Sequence, residues 1–226
     1  KDFQLEGRLC LHLMQLGLPM AFQNAIISVG GMIVQFVVNG FGVLFIAGFT
    51  ATNKLYGILE VAATSYGYAM VTYTGQNLGA KKIDRIRKGM RAAIVVAVIT
   101  SAVIAVIMLV FGRTILGWFI SGSPEDVAAT LDIAYHYLAV MSVFLPVLYI
   151  LHVTRSCLQG MGNTLLPMLS GVAEFIMRTG SAMLLPLFLG SEGIFYAEIL
   201  AWLGADVILI TSYVVQMRRM KRRGTE

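Results

Sequence analysis

"ATNKLYGILEVAATSYGYAMV", residues 51–71, is the stretch whose reading decides the fold. Most of it suits a membrane span, yet it carries Lys54 and Glu60 at a spacing that no intrahelical ion pair uses. A charge at the centre of a span costs at least about 2.5–3.5 kcal/mol on insertion scales, so it faces protein or water rather than lipid. At 100° per residue, Asn53, Tyr56, Glu60, Thr64 and Gly67 share one helical face. Lys54 stands about 100° off that stripe, a candidate partner for a carboxylate on another helix. Glu60 lies about halfway along, without a partner one turn away, as a candidate proton-exchanging group.

The preceding run, "LMQLGLPMAFQNAIISVGGMIVQFVV", repeats the pattern: Asn24, Ser28, Gly31, Gln35 and Asn39 fall on one face. One polar side chain can simply pin a helix pair, for about 0.6 kcal/mol. Two long stripes exceed that need, so they read as lining a hydrated cleft, with interhelical hydrogen bonding as the alternative. Asn24, Ser28, Gln35, Asn53, Tyr56 and Glu60 are therefore the cleft candidates. Lys54, Glu174, Arg178 and Asp206 are the charged candidates within apolar runs. Glu174 and Arg178 stand four residues apart, the spacing of an intrahelical ion pair.

A span needs about 20 mostly apolar residues. Six stretches qualify, at about 13–38, 45–73, 91–112, 131–154, 165–189 and 193–216. Of the 226 residues, 58% are hydrophobic and 13% charged, against about 25% charged in soluble domains. The fold class is an all-α polytopic membrane protein. The net charge of +5 does not argue for nucleic acid, because the basic residues sit at the ends of apolar runs. Lys81, Lys82, Arg85, Arg87, Lys88 and Arg91 follow the second run, and Arg218, Arg219, Lys221, Arg222 and Arg223 follow the last. Lys1 and Arg8 open the chain, Arg155 is expected in the loop after the fourth run, and the opposite loops hold only Arg113. With an even number of spans, this bias puts both ends in the cytoplasm.

Pro19, Pro146, Pro167 and Pro186, with the Gly30–Gly31 pair, suit bent, closely packed helices. Tyr66, Tyr68, Tyr73, Tyr135, Tyr137 and Tyr149, with the 13 Met, suit a cavity wall for hydrophobic ligands and organic cations, or plain packing. No phosphate-binding glycine loop, nucleophile elbow or metal-spaced His/Cys group occurs, so the reading is not an enzyme and not a metal site. Cys10 and Cys157 are expected as free thiols. The opening "KDFQLEGRLC" reads as the interior of a longer protein.

The ordered pieces "GLPMAFQN", "ATNKLYGILEVAATSYGYAM", "GQNLGAKKIDRIRKG", "RSCLQGMGNTLLPML" and "GVAEFIMRTG" make the chain resemble the C-terminal half of a MATE multidrug and toxic compound extrusion transporter. The resemblance implies one six-helix lobe of a twelve-helix antiporter of the bacterial cytoplasmic (inner) membrane. It implies export of drugs and other organic cations by alternating access, driven by H+ or Na+, with no other cofactor. The partners it implies are the missing N-terminal lobe and membrane lipids, with no nucleic acid. The NorM-like branch carries acids at positions that fall on Ile27 and Leu148 here, both apolar. The chain thus looks closer to the DinF-like branch, whose coupling carboxylate is expected in the first lobe. Rival readings are a lipid-linked precursor flippase of related fold, a channel or scaffold without coupled transport, and a half-size protein that dimerises.

Overall fold

The structure is a computed structural model that describes residues 6–223. Lys1 lies outside them, as do the side chains of Lys221 and Arg223. Seven α-helices follow one another: α1 (Gly7–Val38), α2 (Val43–Gly79), α3 (Ile83–Gly117), α4 (Pro124–Val143), α5 (Leu145–Gly160), α6 (Leu165–Leu189) and α7 (Ala197–Arg223). Short 3-10 helices, Asn39–Phe41 and Gly190–Tyr196, join α1 to α2 and α6 to α7.

Local chemistry sets several of these boundaries. At the start of α4 the Ser123 hydroxyl accepts from the Asp126 amide at 3.2 Å. Pro124 follows in the first turn, where its missing N–H costs nothing. Pro146 cannot donate within a helix and its ring crowds the preceding turn. The chain breaks there, and α4 and α5 meet at 51°. The fourth apolar run is thus one bent member made of two helices. After α2 the chain reverses through Lys81, at φ 58°. The Lys82 amide donates to the Asn77 carbonyl at 2.8 Å and the Lys81 amide to Leu78 at 2.9 Å, which satisfies the helix end.

Contact positions fix the directions. Met177 meets Gly204 and Arg178 meets Glu198, so α6 and α7 run antiparallel. Gln23 meets Gly171 and Gly30 meets Arg178, so α1 runs parallel to α6. Glu60 with His152 and Thr74 with Cys157 make α2 parallel to α5. Tyr66 with Thr100 and Tyr73 with Arg85 make α3 antiparallel to α2. Phe45 with Phe195 and Tyr56 with Trp202 make α7 parallel to α2. Counting α4–α5 as one, the members alternate up and down, a six-membered helical bundle.

Among the described residues, Gly7–Phe41, Ile83–Gly117 and Leu165–Met220 are long and apolar enough to cross a membrane, and the bent α4–α5 pair makes a further candidate. The third of these segments is the α6–α7 hairpin and doubles back on itself. Helix α2 has 37 residues but, with Asn53, Lys54 and Glu60 in it, no stretch apolar enough to join them. Trp202, Tyr137, Tyr149 and Phe195 are fully buried between α2, α4–α5 and α7. Much of the outward surface of α1 and α3 is apolar, with Phe36 and Val110 exposed. A surface of this kind is stable against lipid or protein, not water.

Candidate functional site

Four charged side chains join α5, α6 and α7 inside the bundle. Arg155 Nη2 of α5 lies 2.7 Å from Glu174 Oε2 of α6. Arg178, one turn further along α6, holds the other oxygen of Glu174 at 2.9 Å and Glu198 Oε2 of α7 at 2.7 Å. Its second amine donates to the Ile27 carbonyl of α1 at 3.2 Å. Glycine makes this approach possible: a Cβ on Gly30 would stand 3.2 Å from Phe175 and 3.5 Å from the Arg178 stem. On the facing helix, a Cβ on Gly171 would stand 2.6 Å from Gln23. The chain Arg155–Glu174–Arg178–Glu198 is formally neutral, and all four side chains are largely shielded. Buried pairs persist only with such short, multiply satisfied geometry.

Two carboxylates remain beyond that chain. Asp206, on α7, is 6% exposed, and its Oδ1 has no hydrogen-bond partner among the described residues. Arg155 and Glu174 are the charges that act on it, and no salt bridge joins it to either. Glu60, on α2, has a side chain 37% exposed, with His152 Nε2 of α5 at 3.5 Å. That contact is an ion pair when the imidazole is protonated. Tyr56, four residues earlier, stacks on Trp202 at 5.9 Å. Asn53 accepts from the Tyr137 hydroxyl at 3.3 Å, and Tyr137 stacks between Phe49 and Phe195 at 4.8 and 4.9 Å. The α2 stripe therefore forms a half-buried margin of the same interior.

The α1 stripe lies elsewhere. Asn24 and Ser28 are exposed and Gln35 partly so. They bond within their own helix: Ser28 to the Asn24 carbonyl at 2.9 Å, and Gln35 to Asn39 at 2.9 Å. The face of α1 that packs on α6 is the one with Gln23, Gly30 and Val34. Lys54 also departs from expectation. It is exposed and makes no salt bridge among the described residues, because its offset from the stripe turns it towards the open face with Gly57, Ile58 and Val61. Most of the tyrosines fasten helices together rather than line an open space, as when Tyr149 donates to Leu59 at 3.1 Å and Tyr66 meets Thr100 at 2.8 Å. Tyr68 and Tyr196 are the exposed exceptions among the described residues.

Arg155 and Glu198 were not among the site candidates. Arg155, expected in a loop, lies inside α5 with its side chain 12% exposed. The readable signal was the turn "MGNT": in a helical hairpin, residues equally far from the turn face one another, which brings Arg155 opposite Ser170 and Glu174. Glu198, at the second position of α7, meets Arg178 well back in α6, a pairing that distance from the turn does not signal. Among the described residues no group of three or more His, Cys, Asp or Glu side chains could hold a metal ion.

Residues 19–184 match the family model described as MatE. The chain is 28% identical over 183 residues to the "Probable multidrug resistance protein YpnP" of Bacillus subtilis (strain 168), covering 80% of this chain and 40% of that one. It is 25% identical over 118 residues to the "Probable multidrug resistance protein YoeA" of the same organism, covering 52% and 26%. The chain thus spans less than half the length of the curated relatives it matches. Among solved structures, it superposes on the crystal structure of MATE in the bent conformation with a TM-score of 0.87 at 16% identity, covering all of this chain and 49% of that one. The all-α bundle therefore matches half of a twelve-helix MATE fold.

Proposed function

The chain belongs to the MatE family, and from that premise we propose that residues 1–226 form the C-terminal lobe of a cation-coupled exporter of drugs and other organic cations. The six spans would lie at about 13–38, 45–73, 91–112, 131–154, 165–189 and 193–216, in a bacterial cytoplasmic membrane with both ends of the segment cytoplasmic. The same protein would supply the first lobe. The open faces of α1 and α2, with Asn24, Ser28, Gln35 and Lys54, would border the cleft between lobes. The names of the two Bacillus relatives support drug export. The apolar Ile27 and Leu148 support the DinF-like branch, whose expected first-lobe carboxylate would act together with the carboxylates of this lobe.

One observation carries the coupling. The four-membered chain from Arg155 to Glu198 balances itself, which leaves Asp206 with no ion pair among the described residues and Glu60 with His152 alone, at 3.5 Å. A low-dielectric interior penalises an uncompensated carboxylate. Each of the two thus favours a bound H+ or Na+, and once vacated favours a nearby organic cation. Ion and drug then stabilise different states of one molecule, which is what exchange by alternating access requires. The neutral chain keeps α5, α6, α7 and α1 moving as one block. A lipid-linked anionic precursor would meet the same negative excess, which weighs against a flippase.

The test uses efflux-deficient bacteria expressing the complete native reading frame. Lowered accumulation of a fluorescent cationic dye, restored by an uncoupler or by removing Na+, supports the reading and names the ion. Unchanged accumulation of a panel of such dyes, with the protein in the membrane, contradicts it.

A further inference from the structure

The basic residues on either side of the α3–α7 seam do more than set orientation. At that end of the bundle residues from 81–94 and 213–220 line a groove of about 930 Å³. Its rim carries Lys81, Lys82, Arg85, Arg87, Arg91 and Arg218, against Asp84 as its one acid. Its floor is apolar, formed by Met90, Ile94, Tyr213, Val214 and Met217. Both walls reach the groove, α3 through Arg87 and Arg91 and α7 through Tyr213 and Arg218. The α3 wall is held in place. Tyr73 of α2 donates to the Arg85 carbonyl at 3.0 Å, and its ring fills the space a Cβ on Gly89 would need. Among the described residues Asp84 forms an ion pair with Arg87 alone, at 3.7 Å and in an exposed position, which leaves the rim strongly positive.

Nothing in drug export requires a cationic rim above an apolar floor, and topology alone requires the charges but not the groove. We propose that this groove binds one anionic phospholipid, with its phosphate on Arg87, Arg91 and Arg218 and the upper part of an acyl chain along Met90, Ile94 and Val214. Guanidinium groups bind phosphate oxygens through paired hydrogen bonds. Basic pockets between membrane helices on the cytoplasmic side take anionic headgroups. A free phosphate compound would use the rim alone, and a zwitterionic lipid, whose phosphate also fits the rim, would bring its ammonium against the same basic side chains. Only an anionic lipid uses both without that repulsion.

The test is native mass spectrometry of the full-length protein in detergent, titrated with phosphatidylglycerol, phosphatidylcholine or sn-glycerol 3-phosphate. Lys88 is the charge-matched control: it is exposed on the same helix and does not line the groove. Phosphatidylglycerol is expected to stay bound in preference to both other compounds. Arg91→Gln is expected to weaken it about fivefold, the worth of one basic contact at a membrane surface, and Lys88→Gln to leave it unchanged. Equal losses for the two variants would mean diffuse surface charge and overturn the site. Equal retention of phosphatidylcholine or of glycerol phosphate would overturn it as well.

Discussion

Glu198 of α7 lies 2.7 Å from Arg178 of α6, and this contact closes a charged chain that crosses three helices of the bundle. Removing one partner leaves the other buried and uncompensated, which costs about 3–5 kcal/mol. Glu198→Gln and Arg178→Ala should therefore both lower the thermal unfolding midpoint of the purified full-length protein sharply. Arg178→Lys should also lower it, because an ammonium cannot span Glu174, Glu198 and the Ile27 carbonyl together. A midpoint unchanged in all three would mean that the chain contributes no stability.

Glycine tolerance should differ by position. A Cβ on Gly160 would stand 2.6 Å from the Val71 carbonyl oxygen, a backbone atom that can move only with its helix. Gly160→Ala should cost about 1–3 kcal/mol, as overpacking does. Gly31 has nothing within 4 Å of its Cβ position, and Gly31→Ala should leave stability unchanged or slightly raised. Thermal unfolding of the two variants side by side decides it.

The open face of α1 should be reachable from water. Ser28 is exposed and Val34 is buried against the bundle. In a cysteine-free background, Ser28→Cys should react with a membrane-impermeant maleimide and be protected by a transported dye, while Val34→Cys should not react. Absence of labelling at Ser28 in every condition would place that stripe against lipid or protein instead of the cleft.

Lys54→Gln should shift stability by no more than about 0.5 kcal/mol, the range of surface substitutions away from special features. Glu60→Gln should weaken dye export while leaving membrane insertion intact. Export by Glu60→Gln equal to wild type, at equal abundance, would remove Glu60 from the mechanism.

Much of the fold was legible because it depends on local pattern. Apolar runs marked the helices, and the four-residue spacing of Glu174 and Arg178 is the ion pair observed at 2.9 Å. The rest depends on how helices meet. Arg155 stood just past the apolar run at 131–154, so it looked like a loop cation. Only the register of the α5–α6 hairpin turns it inward to Glu174. Glu198 sits near the start of its helix, where a charge raises no alarm in a one-dimensional reading. The α1 stripe was visible as a stripe, but periodicity cannot tell an inward face from an open one, and the packing of Gly30 on α6 decides that. The break at Phe144 follows from Pro146, whose presence the sequence marked without its 51° angle.

The most direct measurement follows dye accumulation in proteoliposomes holding the full-length protein, under an imposed H+ or Na+ gradient. Wild type should concentrate the dye against its gradient. Asp206→Asn, which removes the excess charge nearest the buried chain, should still bind dye but no longer concentrate it. Gradient-driven accumulation by Asp206→Asn equal to wild type would contradict the assignment of coupling to Asp206.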